Sequence, residues 1–194
     1  MISRLAEKAV DHIFPQDSLS RDDREVYIYG FFMLFSRIFF FLLTALWGML
    51  LGVLLESVLL YLAFALIRGY AGGVHASRES TCTICTSLAM LLCCAAIRLC
   101  TQVKPVLLPL AVLAFSAIVI GMLSPLDTEA KPLTEEEKRE YRRKSILITF
   151  IILAAAILGL IVGIYRVFYP CVLSLFLESI LLLAGMAGKT FRER

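Results

Sequence analysis

Charge is scarce in this chain of 194 residues: 18% of positions are Asp, Glu, Lys or Arg, while 60% are hydrophobic. Soluble domains run at about 25% charged and about 45–50% apolar. A chain this short has no water-facing fold large enough to bury so much apolar surface, so the excess must face lipid. The shortage excludes a soluble globular enzyme, a disordered regulator and a secreted disulfide scaffold. A formal net charge of +3 is too small to draw nucleic acid. Histidine occurs twice and tryptophan once, and there is no internal repeat or low-complexity tract. No apolar stretch follows the early basic residues, so no cleavable signal is expected.

What is there is a series of apolar runs. A bilayer core about 30 Å thick needs roughly 20 apolar residues per helical crossing. From Val26 to Tyr70 the only formal charges are Arg37, Glu56 and Arg68, which leaves room for two crossings broken near residues 52–56. Further crossings are expected over about 81–101, 106–123, 146–167 and 171–187. The expected fold is an all-α membrane protein of six transmembrane helices, one polytopic domain over residues 1–194 with the bundle at 26–187. With the N-terminus inside, only Lys104 and Arg166 of the 19 Lys and Arg residues fall outside, and only Arg37 and Arg98 lie within spans. That asymmetry predicts cytoplasmic N- and C-termini.

Residues 1–15 read as an amphipathic interfacial helix. Ile2, Leu5, Ala6, Ala9, Val10 and Ile13 recur at helical spacing, with Arg4, Glu7, Lys8 and Asp11 opposite and Pro15 as the stop. The competing reading is a helix packed on the cytoplasmic end of the bundle. Ser20 with Asp23 has the form of an N-cap for the first crossing. In the polar loop 124–144, Thr134 and Glu137 have capping-box spacing, acidic residues come first and basic ones follow. A short surface helix running into the fifth crossing is expected there, as a solvated charge run or a docking face for a peptide.

The chemically informative stretch is Arg68-Gly-Tyr-Ala-Gly72-Gly73-Val-His75-Ala-Ser-Arg-Glu-Ser-Thr81-Cys82. Each glycine would cost a helix interior about 1 kcal/mol relative to alanine, so the stretch is an irregular loop on the cytoplasmic side. At membrane depth such backbone is tolerated only inside protein or beside a watery cavity. A helix starting near Ser77 or Ser80 puts Cys82 in or just past its first turn, where the positive end of the dipole favours thiolate. His75, on the loop, is the adjacent base that could take the thiol proton. On one continuous helix the two would stand roughly 10 Å apart along the axis, so the dyad requires the loop to fold back.

Competing readings share these residues. Cys82 and Cys85 form a C-x-x-C, the spacing of a redox pair or of half a metal site, but a zinc site needs four ligands and only His75, Cys82 and Cys85 are near, so no metal is expected. Cys85 is an alternative nucleophile. Cys93, Cys94 and Cys100 read as packing residues, and Cys171 stands alone.

The run Arg68-x-Tyr-Ala-Gly-Gly-x-His75-x6-Cys82 resembles the signature of the AgrB family, the accessory gene regulator B-like membrane endopeptidases of Gram-positive bacteria. The segment from Ser124 to Pro132 is similar to that family's second recognisable segment. The resemblance implies cleavage of an AgrD-like autoinducing-peptide precursor by His75 and Cys82, cyclisation of the product to a thiolactone, no cofactor, and a homodimer in the cell membrane. Backbone N–H groups near Thr81 and Cys82 are the oxyanion candidates, with Gly72 and Gly73 shaping the substrate site. Arg68 could anchor a substrate carboxylate or the oxyanion, or simply snorkel. Arg37 lies deep in the first crossing, where charge is usually functional. Glu56, Arg98 and Glu178 are placed toward the outer half, with Arg98–Glu178 as the expected pair. The rival class is a non-enzymatic transporter or signalling scaffold that uses the glycine loop as a re-entrant segment.

Overall fold

The computed structural model describes residues 2–14, 20–73, 79–126 and 134–192, without the side chains of Glu79, Ser80, Cys82 and residues 189–192. Among the described residues there are seven helices and no strand: α1 Ile2–Ile13, α2 Arg21–Leu50, α3 Leu54–Ala71, α4 Glu79–Val103, α5 Leu107–Leu123, α6 Glu135–Ile161 and α7 Tyr165–Arg192. Within these, Arg21–Leu50, Leu54–Ala71, Thr83–Val103, Glu135–Ile161 and Tyr165–Gly188 are long and apolar enough to cross a membrane. The apolar α5 is shorter, at 17 residues. Outward-facing Leu42, Leu107, Ile118, Phe150 and Ile161 are exposed, the placement expected of side chains covered by lipid.

The chain divides into two compact units, Met1–Leu43 and Thr44–Arg194. In the first, α1 has the expected amphipathic pattern. Ile2, Ala6 and Val10 are buried, while Leu5 and Ile13 form an exposed apolar line beside them. Asp11 accepts from Arg24 at 2.7 Å, and the rings of Phe14 and Tyr27 lie 4.7 Å apart, fixing α1 against the start of α2. Ser20 caps α2 as expected, accepting from the Asp23 N–H at 3.1 Å. The helix therefore starts five residues before Val26, with its charged first turn included.

In the second unit α7 is the central element, packed on α3, α5 and α6 and more lightly on α4. Phe168, Tyr169, Leu175 and Leu182 are buried along it. The turns that join α2 to α3 and α6 to α7 are built alike. Val53 N–H donates to Gly48 O at 2.7 Å and Ile164 N–H to Gly159 O at 2.7 Å, each across a positive-φ glycine, Gly52 and Gly163. This is the Schellman ending of a helix. It corrects two expected boundaries: the fifth apolar helix ends at Ile161 rather than near 167, and α7 starts at Tyr165 rather than 171. The capping box of α6 is present, with Thr134 N–H donating to Glu137 Oε2 at 2.9 Å and Glu137 N–H to Thr134 Oγ1 at 3.3 Å. The surface helix and the fifth apolar run are one continuous helix from Glu135.

The early start of α7 also corrects the expected charge pairing. Glu178 stands about 20 Å along α7, beside the far end of α3, and pairs with Arg68 at 3.6 Å. Arg98 is exposed, near the Gly52 turn at the opposite end of the bundle. There Glu56 pairs instead with Arg166, at 3.2 Å.

Truncating the buried face of α7 should therefore hurt and truncating its outer face should not. Leu175→Ala is expected to lower stability by about 2–4 kcal/mol through an unfilled cavity, and Leu183→Ala by under about 0.5 kcal/mol. Thermal unfolding of the two purified variants in detergent checks this, and equal losses would contradict the central position of α7.

Candidate active site

The end of α3 is where the sequence signals converge. Leu54–Ala71 is a regular helix, and the chain leaves it through Gly72 and Gly73, with φ of +77° and +117°. Non-glycine residues rarely hold such angles, and here space forbids a side chain as well. A Cβ on Gly72 would overlap the Leu126 carbonyl, and one on Gly73 would overlap the Arg68 guanidinium. The close approach is a hydrogen-bonded one: Leu126 N–H donates to Ala71 O at 2.9 Å, and Gly72 and Leu126 form an isolated parallel bridge. The glycine segment and the Ser124–Leu126 segment, separate signals in the sequence, are thus two sides of one junction.

Three contacts brace the junction. Arg68 Nη1 donates to the Gly72 carbonyl and faces the Glu178 carboxylate. Ser124 Oγ donates to Ser145 Oγ at 2.5 Å, both buried. The Tyr70 ring meets Tyr141 edge-on at 5.8 Å, and the Lys144 ammonium lies 5.4 Å from the Tyr70 centroid. Beside the junction, an open cleft of about 300 Å³ is lined by Met122, Leu123, Ser124, Pro125, Lys138, Arg139 and Arg142. Its lining combines apolar Met122, Leu123 and Pro125 with basic Lys138, Arg139 and Arg142, and Arg142 donates to Gly121 O at 3.3 Å.

Of the residues singled out in the sequence, Arg68, Gly72 and Gly73 are brought together here. His75 lies in 74–78, outside the described residues. Because α4 begins at Glu79, Cys82 falls within its first turn, but its thiol is likewise outside the described residues. Thr81 is in the same turn and exposed; Cys85 is one turn on and exposed. Cys93, Cys94 and Cys171 are buried, in keeping with packing roles. Arg37 is an exposed residue of α2 in the first unit.

The family model of accessory gene regulator B (AgrB) matches residues 6–182. The chain belongs to the AgrB family. It is similar to an AgrB-like protein of Listeria innocua, 29% identical over 160 residues, covering 79% of this chain and 76% of that protein. An AgrB-like protein of Clostridium perfringens strain SM101 is 23% identical over 187 residues, covering 93% and 87%. One of Listeria monocytogenes strain HCC23 is 27% identical over 158 residues, covering 79% and 76%. No solved structure matches. Membership in the AgrB family implies a part in processing the autoinducer of an accessory gene regulator system.

Sequence reasoning missed Glu178, Leu126, Ser145 and Tyr141 as members of this AgrB junction. Glu178 carried a signal: it is the one acidic residue in the apolar stretch from Val167 to Met186. Leu126 takes part through its backbone, which no side-chain pattern reports. Gly72→Ala and Gly73→Ala are each expected to lower stability by about 1–3 kcal/mol, from the strained φ and the overlap together. Unfolding midpoints of the purified variants measure it; unchanged midpoints would mean that the junction relaxes freely.

Proposed function

We propose that the chain is a membrane-embedded cysteine endopeptidase that cleaves an AgrD-like precursor through an acyl-thioester on Cys82 and promotes closure of the retained peptide to a thiolactone. The observation that carries this reading is the family match over residues 6–182, which spans the Arg68–Cys82 motif. The start of α4 at Glu79 supports it, because a first-turn thiol sits at the positive end of the helix dipole.

In this mechanism His75 takes the proton of Cys82, and the thiolate attacks a peptide carbonyl of the precursor. N–H groups of the first turn, near Thr81 and Cys82, receive the developing oxyanion. The carbon–nitrogen bond then breaks, His75 returns the proton to the departing amine, and the N-terminal part stays as a thioester on Cys82. A thiol within that peptide attacks the thioester, forming the thiolactone and releasing the Cys82 thiol. Thioester exchange is nearly isoenergetic, whereas hydrolysis runs steeply downhill. The site must therefore hold the internal thiol close and keep water out.

We read α5 as a sixth crossing, which places both termini and the glycine junction at the cytoplasmic face of one polytopic domain. The functional unit is a homodimer. Family resemblance implies an acidic C-terminal tail on such a precursor, and the cleft lined by Lys138, Arg139 and Arg142 suits it.

Cys82→Ala and Cys82→Ser should abolish precursor cleavage in membranes while the protein inserts at parental level, and Cys85→Ala should keep most of it. Cleavage is read on gels with tagged precursor; persistence in Cys82→Ala would refute the reading. Alkylation of Cys82 by iodoacetamide at neutral pH should fall about tenfold in His75→Ala, as the thiolate fraction drops. Equal labelling would argue against the dyad. Reporter fusions should place both termini in the cytoplasm, and an external signal from either would overturn the proposed topology.

A further inference from the structure

Glu178 has no part in the chemistry above, yet its place in the bundle is an expensive one. Its side chain is 0% exposed, and among the described residues neither oxygen accepts a hydrogen bond. A charge in an apolar helix bundle is costly unless paired, and replacing a buried pair by apolar residues of similar volume is often neutral or stabilising. Packing alone gives no reason for a carboxylate at this position.

The reason lies in Arg68. Its Nη1 stands 3.6 Å from Glu178 Oε1 and donates to the Gly72 carbonyl. A guanidinium is a rigid fork of donors, so one cation can be held from one side and hold a carbonyl on the other. The same guanidinium fills the space a Cβ on Gly73 would need, and that Cβ would also stand 3.4 Å from the Leu181 carbonyl, one turn past Glu178 on α7. The chain leaving α3 is therefore threaded between Arg68 and the backbone of α7.

We infer that Glu178 is a positioning residue: through Arg68 it fixes the Gly72 carbonyl, so that α7 sets the course of the chain through Gly72 and Gly73 at the end of α3. Its effect on rate rests on the peptidase reading; the bracing of the junction does not. Without the carboxylate, the cation turns to water, the Gly72 carbonyl loses its donor, and the Leu126–Ala71 hydrogen bond opens more often.

Hydrogen exchange of the full-length protein in lipid nanodiscs tests this, alongside precursor processing by the same samples. In Glu178→Gln, exchange at the Leu126 amide should rise about tenfold, and kcat should fall about tenfold with KM within about twofold, while Glu178→Asp recovers part of both. The double variant Arg68→Met with Glu178→Leu should keep insertion and thermal midpoint but show the same faster exchange and lower kcat. It decides the matter if Glu178→Gln fails to accumulate. Leu126 exchange at the parental level in the variants that insert would overturn the inference. Cys82→Ala separates the two ideas: it should leave Leu126 exchange untouched, and if it still processes precursor, the peptidase reading falls while the exchange result still judges Glu178.

Discussion

The structure depends on a helix exit with no room for a side chain. Beyond Ala71 the backbone passes two positive-φ residues while the Leu126 carbonyl presses on one side and Arg68 on the other. Regular helices give way here because the junction makes its own hydrogen bonds, Leu126 N–H to Ala71 O and Arg68 to Gly72 O. Irregular backbone near a membrane survives when its polar groups are satisfied within the protein. This exit therefore needs all of its partners, drawn from α3, the α5–α6 connection, α6 and α7.

That need accounts for the arrangement of the second unit. One face of α7 is buried because it packs on α3, α5 and α6 and more lightly on α4, and Glu178 is placed where a cation from α3 can meet it. The opposite end of the bundle is simpler. Two Schellman turns close it, and Glu56 with Arg166 lies at its edge. One end is thus built from short closed turns, and the other from long segments that meet. Arg68, Gly72 and Gly73, the residues that the sequence singles out, lie at the second kind of end, where backbone groups are not all spent on helices.

Much of the fold was legible in the sequence. Hydrophobic runs located the apolar helices, and the Ser20 and Thr134 caps were readable because side-chain capping is a local pattern. The break near Gly52 was read where it lies, but the two ends near Gly163 were set a few residues off, since a glycine between two apolar runs reads as weak helix until its hydrogen bonds are seen. That shift moved Glu178 along its helix and hid its pairing with Arg68. Arg68, Gly72 and Gly73 were legible as a group because glycine spacing reports backbone need. Leu126 was not, because its contribution is an amide and a carbonyl, and Ser145 was not, because a lone serine on a helix carries no pattern.

The proposed peptidase turns on one covalent step, in which the retained part of the precursor would spend time as a thioester on Cys82. Acid-quenching the purified protein with precursor and measuring intact mass tests it most directly. An adduct on the residue 82 thiol equal to the retained peptide less water, cleaved by hydroxylamine, is expected. Cleaved precursor with no such adduct at any quench time, or an adduct mapped to Cys85 instead, would contradict it.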